Sequence, residues 1–224
     1  EAVAGKVEEA RGLRQNIEAQ EFGVLYGAYH QLAAAAPRRS MEDVAPLQRR
    51  PVSVELDATY HELGVRSFGK GTFHKPTMTG ADLGTKKVYW LNPDDLVFNI
   101  VFAWEGAVAV VQPQDQGRIG SHRFLACVPR PGLATSRFLW FHFMTAEGLQ
   151  QLGDASPGGA GRNRTLGLAS LARIDVPIPS YEQQLWFDSL LHQVELLQNL
   201  QSTTDAELAA LMPAVLERAF QGEL

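Results

Sequence analysis

Cysteine is nearly missing from the sequence: Cys127 is the single one among 224 residues, so no disulfide can form within the chain. A reducing compartment, the cytoplasm, is therefore the expected location. Long hydrophobic runs are missing too. The richest stretch, 96–111, is interrupted by Asn99, Glu105 and Gly106, and it falls short of the roughly 18 apolar residues that a membrane-spanning helix needs. The first residues have neither the basic start nor the apolar core of a signal peptide.

A strong charge of one sign is missing from the chain as a whole, which carries 20 Lys and Arg against 25 Asp and Glu. This mild acidity argues weakly against nucleic-acid binding, but the charge is unevenly distributed. Residues 57–165 hold eleven basic against nine acidic side chains, whereas residues 166–224 hold two against eight. An anionic partner is therefore expected at the middle of the chain and not at its acidic end.

Motifs for catalysis and for metal binding are also missing. The six histidines and the cysteine show no metal-ligand spacing, and no nucleophile triad or carboxylate pair stands out. Residues 64–71 nearly match a phosphate-binding loop, but Gly71 replaces the hydroxyl that would bind magnesium. The tetrapeptide at 92–95 places Asp95 where an amino-methyltransferase needs an aromatic ring to stack on the extruded base. The sequence thus predicts a chain that is not an enzyme and holds no cofactor or metal.

Three segments are predicted from hydrophobic periodicity and turn residues: a helical segment at 1–37, a strand-rich domain at 38–179 and a C-terminal helix at 180–224. Apolar residues at three- and four-residue steps mark the first segment, which Pro37 ends. The elements predicted for the middle segment are strands at 96–104, 107–111, 122–128 and 173–178, a hairpin turn at 105–106, a polar loop at 112–120 and a helix at 135–152.

The C-terminal helix begins with a capping box, in which the hydroxyl of Ser180 is followed three residues later by Gln183. Pro213 is expected to bend or end it. Its length of about 30 residues favours a coiled coil over an amphipathic helix that lies on its own domain, although periodicity alone leaves both open. The predicted seam follows seven-residue steps with a polar middle layer: Phe187, Leu190, Val194, Leu197, Gln201, Thr204, Leu208 and Leu211.

Basic and polar residues recur in the predicted loops of the middle segment, most of them beside glycine. Such residues usually form only a solvated surface, but several clusters within one positively charged region make a DNA-facing surface the sharper hypothesis. The candidate DNA-binding residues are Arg66, Lys70, His74, Lys75, Lys86, Lys87, Arg118, His122, Arg123, Arg162, Asn163 and Arg164.

The same stretches carry a family likeness that extends over nearly the whole chain. They are the ordered set 60–73, 91–99, 104–107, 120–124, 162–166, 174–183 and 213–224. This set resembles the specificity (S) subunit of type I restriction-modification systems, in one target recognition domain with its flanking helices. The resemblance implies an α+β fold in which a twisted, mostly antiparallel β target recognition domain lies between long N- and C-terminal helices that form an antiparallel coiled coil.

The resemblance also implies a function, namely sequence-specific recognition of one half of a bipartite target in double-stranded DNA. Lys and Arg would then hold phosphates, while Arg and Asn would read base edges. The implied protein partners are methyltransferase (M) subunits, a restriction (R) subunit and a second recognition half or second copy that joins through the coiled coil. The methyl donor, ATP and magnesium would bind to the M and R subunits. The alternative is a coiled-coil scaffold that binds no DNA. Because the sequence begins inside a helical pattern, we expect a C-terminal half of such a subunit more than a half-length subunit that dimerises.

Overall fold

The structure is a computed structural model that describes residues 20–158 and 164–220, with side chains described through residue 203. Contacts divide the chain into two compact units. The large unit is Tyr29–Leu185, and the helical unit combines Glu1–Ala28 with Trp186–Leu224.

The described residues combine helices with short antiparallel strands. The strands are β1 (Arg38–Ser40), β2 (Leu47–Gln48), β3 (Thr59–Tyr60), β4 (Leu63–Val65), β5 (Thr72–His74), β6 (Met78–Thr79), β7 (Val88–Leu91), β8 (Leu96–Asn99), β9 (Val108–Val110), β10 (Arg118–Ser121), β11 (Phe124–Cys127) and β12 (Asp175–Pro177). The α-helices are α1 (residues 20–34), α2 (Met41–Val44), α3 (Gly80–Leu83), α4 (Ser136–Met144), α5 (Ala146–Asp154), α6 (Leu168–Ala172) and α7 (Tyr181–Phe220). Single turns of 3-10 helix lie at Ala103–Glu105 and Pro113–Asp115. The expected α+β class with antiparallel sheets is confirmed.

The largest sheet has the strand order β2-β11-β8-β9, with every neighbouring pair antiparallel. The predicted hairpin between β8 and β9 is confirmed, but its connection is longer than the two residues expected. A 3-10 turn fills the connection: the indole Nε1 of Trp104 donates to the carbonyl oxygen of Val101 at 3.0 Å. Gly106 ends the turn at φ +72°, a left-handed conformation that glycine adopts without steric cost.

Alternation along β8 divides the interior of the large unit into two cores, because successive side chains of a strand point to opposite faces. Leu96 and Phe98 belong to the core that includes α4, where the rings of Phe98 and Phe143 meet edge to face at 5.1 Å. Val97 belongs to the other core, with Leu63 of β4. The central sheet is thus covered by helices on one face and by the small strands on the other.

Two expected elements of the middle segment were wrong. Residues 112–120 were expected to form a loop throughout, but Arg118–Ser121 is strand β10, which pairs with β7. Buried Ile119 accounts for the difference, because its N–H donates to the carbonyl oxygen of His61 at 3.0 Å and adds a second neighbour. The helix expected at 135–152 is divided into α4 and α5 at Thr145, whose hydroxyl caps α5.

The capping box of α7 is confirmed: the Ser180 N–H donates to the Gln183 side chain at 3.0 Å, and the Gln183 N–H donates to the Ser180 hydroxyl at 3.3 Å. The helix continues through Pro213 to Phe220, so this proline does not end it, and the expected bend there stays a prediction.

The predicted seam of α7 is only partly buried within the described side chains. Phe187 and Val194 are buried, Leu190 and Gln201 are half-buried and Leu197 is exposed. In the helical unit, the side-chain amides of Gln198 and Gln201 donate to the Glu21 carboxylate of α1, each at 3.3 Å. The antiparallel coiled coil along both helices stays a prediction. The seam side chains that lie outside the described residues are Thr204, Leu208 and Leu211.

Candidate nucleic-acid interface

An open cavity of about 380 Å³ in the large unit brings together four of the twelve predicted DNA-binding residues. These four come from three separate parts of the sequence: Lys75 follows β5, Lys86 precedes β7, and His122 with Arg123 forms the turn between β10 and β11. The remaining lining residues are Glu62, Leu83, Val88, Asn99, Val101, Phe102, Ser121 and Phe124.

Hydrogen bonds of the backbone hold the turn between β10 and β11 in place. The N–H of Ile100 donates to the carbonyl oxygen of Arg123 at 2.9 Å. Because β10 pairs with β7 while β11 pairs with β8, this turn links two different sheets. The backbone that carries His122 and Arg123 is therefore fixed by both sheets, although the two side chains are exposed.

The charges that line this cavity have a positive balance, with Lys75, Lys86 and Arg123 against the single carboxylate of Glu62. Lys75 is internally paired, since its Nζ donates to Glu62 Oε1 at 2.8 Å and lies 5.6 Å from the centre of the Phe124 ring. Among the residues that the structure describes, the side chain of Arg123 has no hydrogen bond or ion pair, so its full charge faces solvent.

Lys86 lies near one other carboxylate outside the cavity. The pKa of Asp82 is lowered, chiefly by hydrogen bonds from the Thr79 side chain and backbone and to a smaller extent by Lys86. Asp82 is thus held by Thr79, with which it forms the capping box of α3. The Lys86 side chain is exposed and donates no hydrogen bond to any described residue, so its ammonium stays available to an anionic ligand.

Three other predicted residues are held in contacts of the large unit, two of them around the buried carboxylate of Asp115. His74 Nε2 donates to Asp115 Oδ1 at 2.8 Å, and the Arg118 guanidinium donates to His74 Nδ1 at 3.0 Å. The Thr72 hydroxyl donates to the second Asp115 oxygen at 2.9 Å. Arg66 donates to the Thr72 carbonyl oxygen and lies 4.8 Å from the centre of the Phe73 ring. This arrangement stabilises the β4–β5 hairpin, so His74 and Arg118 have a structural role that the sequence did not indicate.

The remaining predicted residues lie apart from the cavity. Lys70 is exposed in the turn between β4 and β5, and Lys87 is exposed directly before β7. The Arg164 guanidinium lies 5.5 Å from the centre of the Trp104 ring, within the range of a cation–π contact. Arg162 and Asn163 lie outside the described residues.

Sequence reasoning missed two kinds of residue on this part of the surface. Asn99 and Ser121 line the cavity, but each stands at the end of a strand without any motif to mark it. Phe68 is 71% exposed in the turn between β4 and β5. Its signal was available, because an apolar residue directly before Gly69-Lys70-Gly71 interrupts a polar turn.

Two further classes of site are not found in the described part of the chain. No group of three or more His, Cys, Asp or Glu side chains there is arranged to hold a metal ion. None of the helices described is both long and apolar enough to span a membrane.

The fold is similar to that of two solved specificity subunits of type I restriction-modification systems. One is the crystal structure of the HsdS subunit from Thermoanaerobacter tengcongensis, with a TM-score of 0.57 and 19% sequence identity over 100% of this chain and 56% of that chain. The other is a chain from a structure on the complex assembly and conformational transition of the type I R-M system. It has a TM-score of 0.63 and 20% identity over 100% of this chain and 57% of that chain.

The sequence itself matches no protein-family model and none of the curated proteins. At 19–20% identity, the likeness to the two HsdS chains establishes a shared fold along all of this chain. The chain spans slightly more than half the length of either of them.

Proposed function

We propose that this chain is the part of a type I specificity subunit that reads one half of a bipartite DNA target. The observation that carries the proposal is the cavity where Lys86, His122 and Arg123 share one exposed rim with a positive charge balance. Fold alone does not define function. The fold that this chain shares with two HsdS subunits nevertheless supports the proposal that this cavity contacts DNA.

The roles within the proposed site follow from the chemistry of each group. Lys86 and Arg123 neutralise phosphates of the DNA backbone, which supplies affinity without sequence preference. Arg164, if released from Trp104, has the planar donor fork that pairs with guanine O6 and N7 in the major groove. The amide of Asn99 is the type that pairs with adenine, and it lines the same cavity as Lys86 and Arg123.

In this proposal the chain is not an enzyme and works in the cytoplasm. Methyl transfer and cleavage belong to methyltransferase and restriction subunits, where the methyl donor, ATP and magnesium bind. A second recognition half, or a second copy of this chain, reads the other half-site. It joins this chain through contacts of α1 and α7. Because a helix rises 1.5 Å per residue, the length of these helices would set the spacing between the two half-sites.

The salt dependence of DNA binding tests the proposed phosphate contacts. A double variant, Lys86→Ala with Arg123→Ala, removes two contacts, so the slope of log K against log salt should become shallower by about 1.8 on any duplex. The matched control is Glu62→Gln with Lys75→Gln, which removes the paired charges at the same cavity without changing its net charge. This control should keep the wild-type slope. The binding of random duplex at low salt is measured by fluorescence anisotropy.

Two results would contradict the proposal. Equal slopes for the wild type and the double alanine variant would remove this cavity from the DNA interface. A wild-type chain that binds no duplex at low salt would instead favour the alternative function, a helical scaffold that assembles other subunits without contacting DNA.

A further inference from the structure

The turn between β4 and β5 is fixed to the rest of the large unit by its backbone. The Phe68 N–H donates to the Glu105 carbonyl oxygen at 2.8 Å, and the Gly69 N–H donates to the Gly106 carbonyl oxygen at 2.9 Å. Within the turn, the Arg66 N–H donates to the Gly71 carbonyl oxygen at 3.0 Å. The turn therefore has one defined conformation, and its tip cannot move without losing these bonds.

Phe68, at the tip of this turn, combines two features that are unfavourable for a phenylalanine. Its φ of +61° is left-handed, a conformation that disfavours a bulky side chain. Its side chain is 71% exposed, the largest exposure among the large hydrophobic residues described. A strained residue persists when its surroundings fix it, and such residues cluster at functional sites. The structure thus holds an aromatic ring out in solvent where glycine would fit with less strain.

The charges around Phe68 are those of a surface that meets an anionic partner. Arg66 and Lys70 lie on the same turn and are exposed, and Arg164 lies over the ring of Trp104, next in sequence to Glu105. The Glu105 carboxylate, which follows Trp104, accepts a hydrogen bond from the Ser67 hydroxyl at 3.3 Å. The exposed charges of Arg66 and Lys70 on the turn itself make a polyanion the better fit than an apolar protein pocket.

We propose that Phe68 is a wedge that inserts between two adjacent base pairs of duplex DNA and partly unstacks them. Apolar side chains do this in proteins that kink DNA, where the energy of unstacking is recovered through the added backbone contacts. Arg66 and Lys70 are placed on either side of the ring in sequence and would hold the phosphates that flank the opened step. This inference rests on the proposed DNA-recognition function and adds a deformation of the target to it.

The test uses the chain with duplexes that it selects from a random pool, each carrying 2-aminopurine at one of the successive positions. Wild-type protein should raise the fluorescence at one base step, because unstacking relieves the quenching of 2-aminopurine. Phe68→Gly should abolish this rise and weaken binding by about 5- to 150-fold, the range for removal of an aromatic side chain stacked on a base. Phe68→Trp should keep both.

Two controls separate loss of the wedge from loss of the fold. Phe68→Gly relieves the left-handed strain, so its melting temperature should equal or exceed that of the wild type. Leu56→Ala removes another exposed apolar side chain, 67% exposed, from the same unit and should leave the fluorescence and the affinity unchanged.

The outcomes distinguish this inference from the function on which it rests. If Phe68→Gly binds the selected duplexes as the wild type does and no base step brightens, the wedge is refuted while DNA recognition stands. If the wild type selects no duplex at all, the proposed function fails and the wedge with it. Tight DNA binding by Phe68→Gly together with loss of methyltransferase binding would show that the ring contacts a protein, which also overturns the wedge.

Discussion

His142 should make the stability of the protein depend on pH between about 5 and 7. The imidazole is completely buried in α4 and contacts two side chains. Its Nδ1 lies 2.6 Å from the Tyr29 hydroxyl, and its Nε2 lies 2.8 Å from Gln151 Oε1. The Gln151 amide nitrogen donates to the carbonyl oxygen of Asp175 at 2.9 Å, which directs the Gln151 oxygen toward the imidazole. Nε2 is therefore the donor and Nδ1 accepts from Tyr29, so the contacts fit the neutral ring.

Burial lowers the pKa of His142, and the hydrogen bond to Gln151 offsets this only in part. In the unfolded chain the pKa is about 6.5. Below that value the unfolded state binds more protons than the folded state, so the free energy of unfolding falls as the pH falls. The loss approaches 1.36 kcal/mol per pH unit until the folded pKa is reached. Between pH 7.5 and 5.0 it amounts to at most about 2 kcal/mol from this one group.

Urea denaturation at pH 7.5 and 5.0 measures this effect when the wild type is compared with His142→Gln. The variant should be less stable at pH 7.5 by about 1–3 kcal/mol, because Tyr29 or Gln151 loses a partner. On acidification, however, it should lose up to about 2 kcal/mol less than the wild type does. His122→Gln, at an exposed position, is the control. Its loss of unfolding free energy between pH 7.5 and 5.0 should match that of the wild type. Parallel losses in the wild type and His142→Gln would refute the assignment of a buried neutral imidazole.

Two more predictions concern the β4–β5 turn and α7. Gly69→Ala should lower the free energy of unfolding by about 1–2 kcal/mol, since φ is +64° and a new Cβ would lie 2.5 Å from a methionine sulfur. Gly153→Ala, with open space in α5, should raise it by about 0.5–1 kcal/mol, and equal effects in urea denaturation would contradict this reasoning. Leu197→Asp with Leu200→Asp, at positions 51% and 66% exposed, should abolish self-association in sedimentation, whereas Asn199→Asp should not. A wild-type chain that sediments as a monomer would contradict the second-copy interface.

Features that depend on local chemistry could be predicted from the sequence. The hydroxyl of Ser180 and the amide of Gln183 need only each other and the backbone of one helical turn to form the cap. The hairpin of β8 and β9 was equally local, because two apolar runs flank a glycine that ends the turn. Strand β12 was marked by Pro177 at its end and by Pro179 just after it.

Features that depend on distant neighbours could not be predicted. Strand β10 exists because β7 and the His61 carbonyl lie on its two sides, and both belong to earlier parts of the chain. The break between α4 and α5 follows from Gly148, where a Cβ would lie 2.2 Å from the His142 carbonyl oxygen. Glycine lets the second helix begin that close to the end of the first, a contact that periodicity over 135–152 does not reveal.

The roles of the charged residues at the candidate site also depend on distant neighbours. The sequence does not distinguish among the twelve predicted DNA-binding residues. In the structure, buried or half-buried carboxylates bind some of them and not others. Asp115 accepts a hydrogen bond from His74, and Glu62 forms an ion pair with Lys75, so these side chains stabilise the hairpin and the cavity wall. Among the described residues, no carboxylate pairs with Arg123. Its guanidinium can therefore form an ion pair with an anionic ligand.

The position of the carboxylates also explains how a chain with a net charge of −5 could still bind DNA. Asp95 is 2% exposed and accepts two hydrogen bonds from Arg50, at 2.7 and 3.1 Å, so its charge is cancelled inside the large unit. Asp115 is 1% exposed and its carboxylate also lies inside the unit, where it accepts hydrogen bonds from Thr72 and His74. A surface field depends on the charges that remain exposed and unpaired. Around the cavity these are Lys86 and Arg123, and the net charge of the sequence therefore has the opposite sign to the charge of the proposed site.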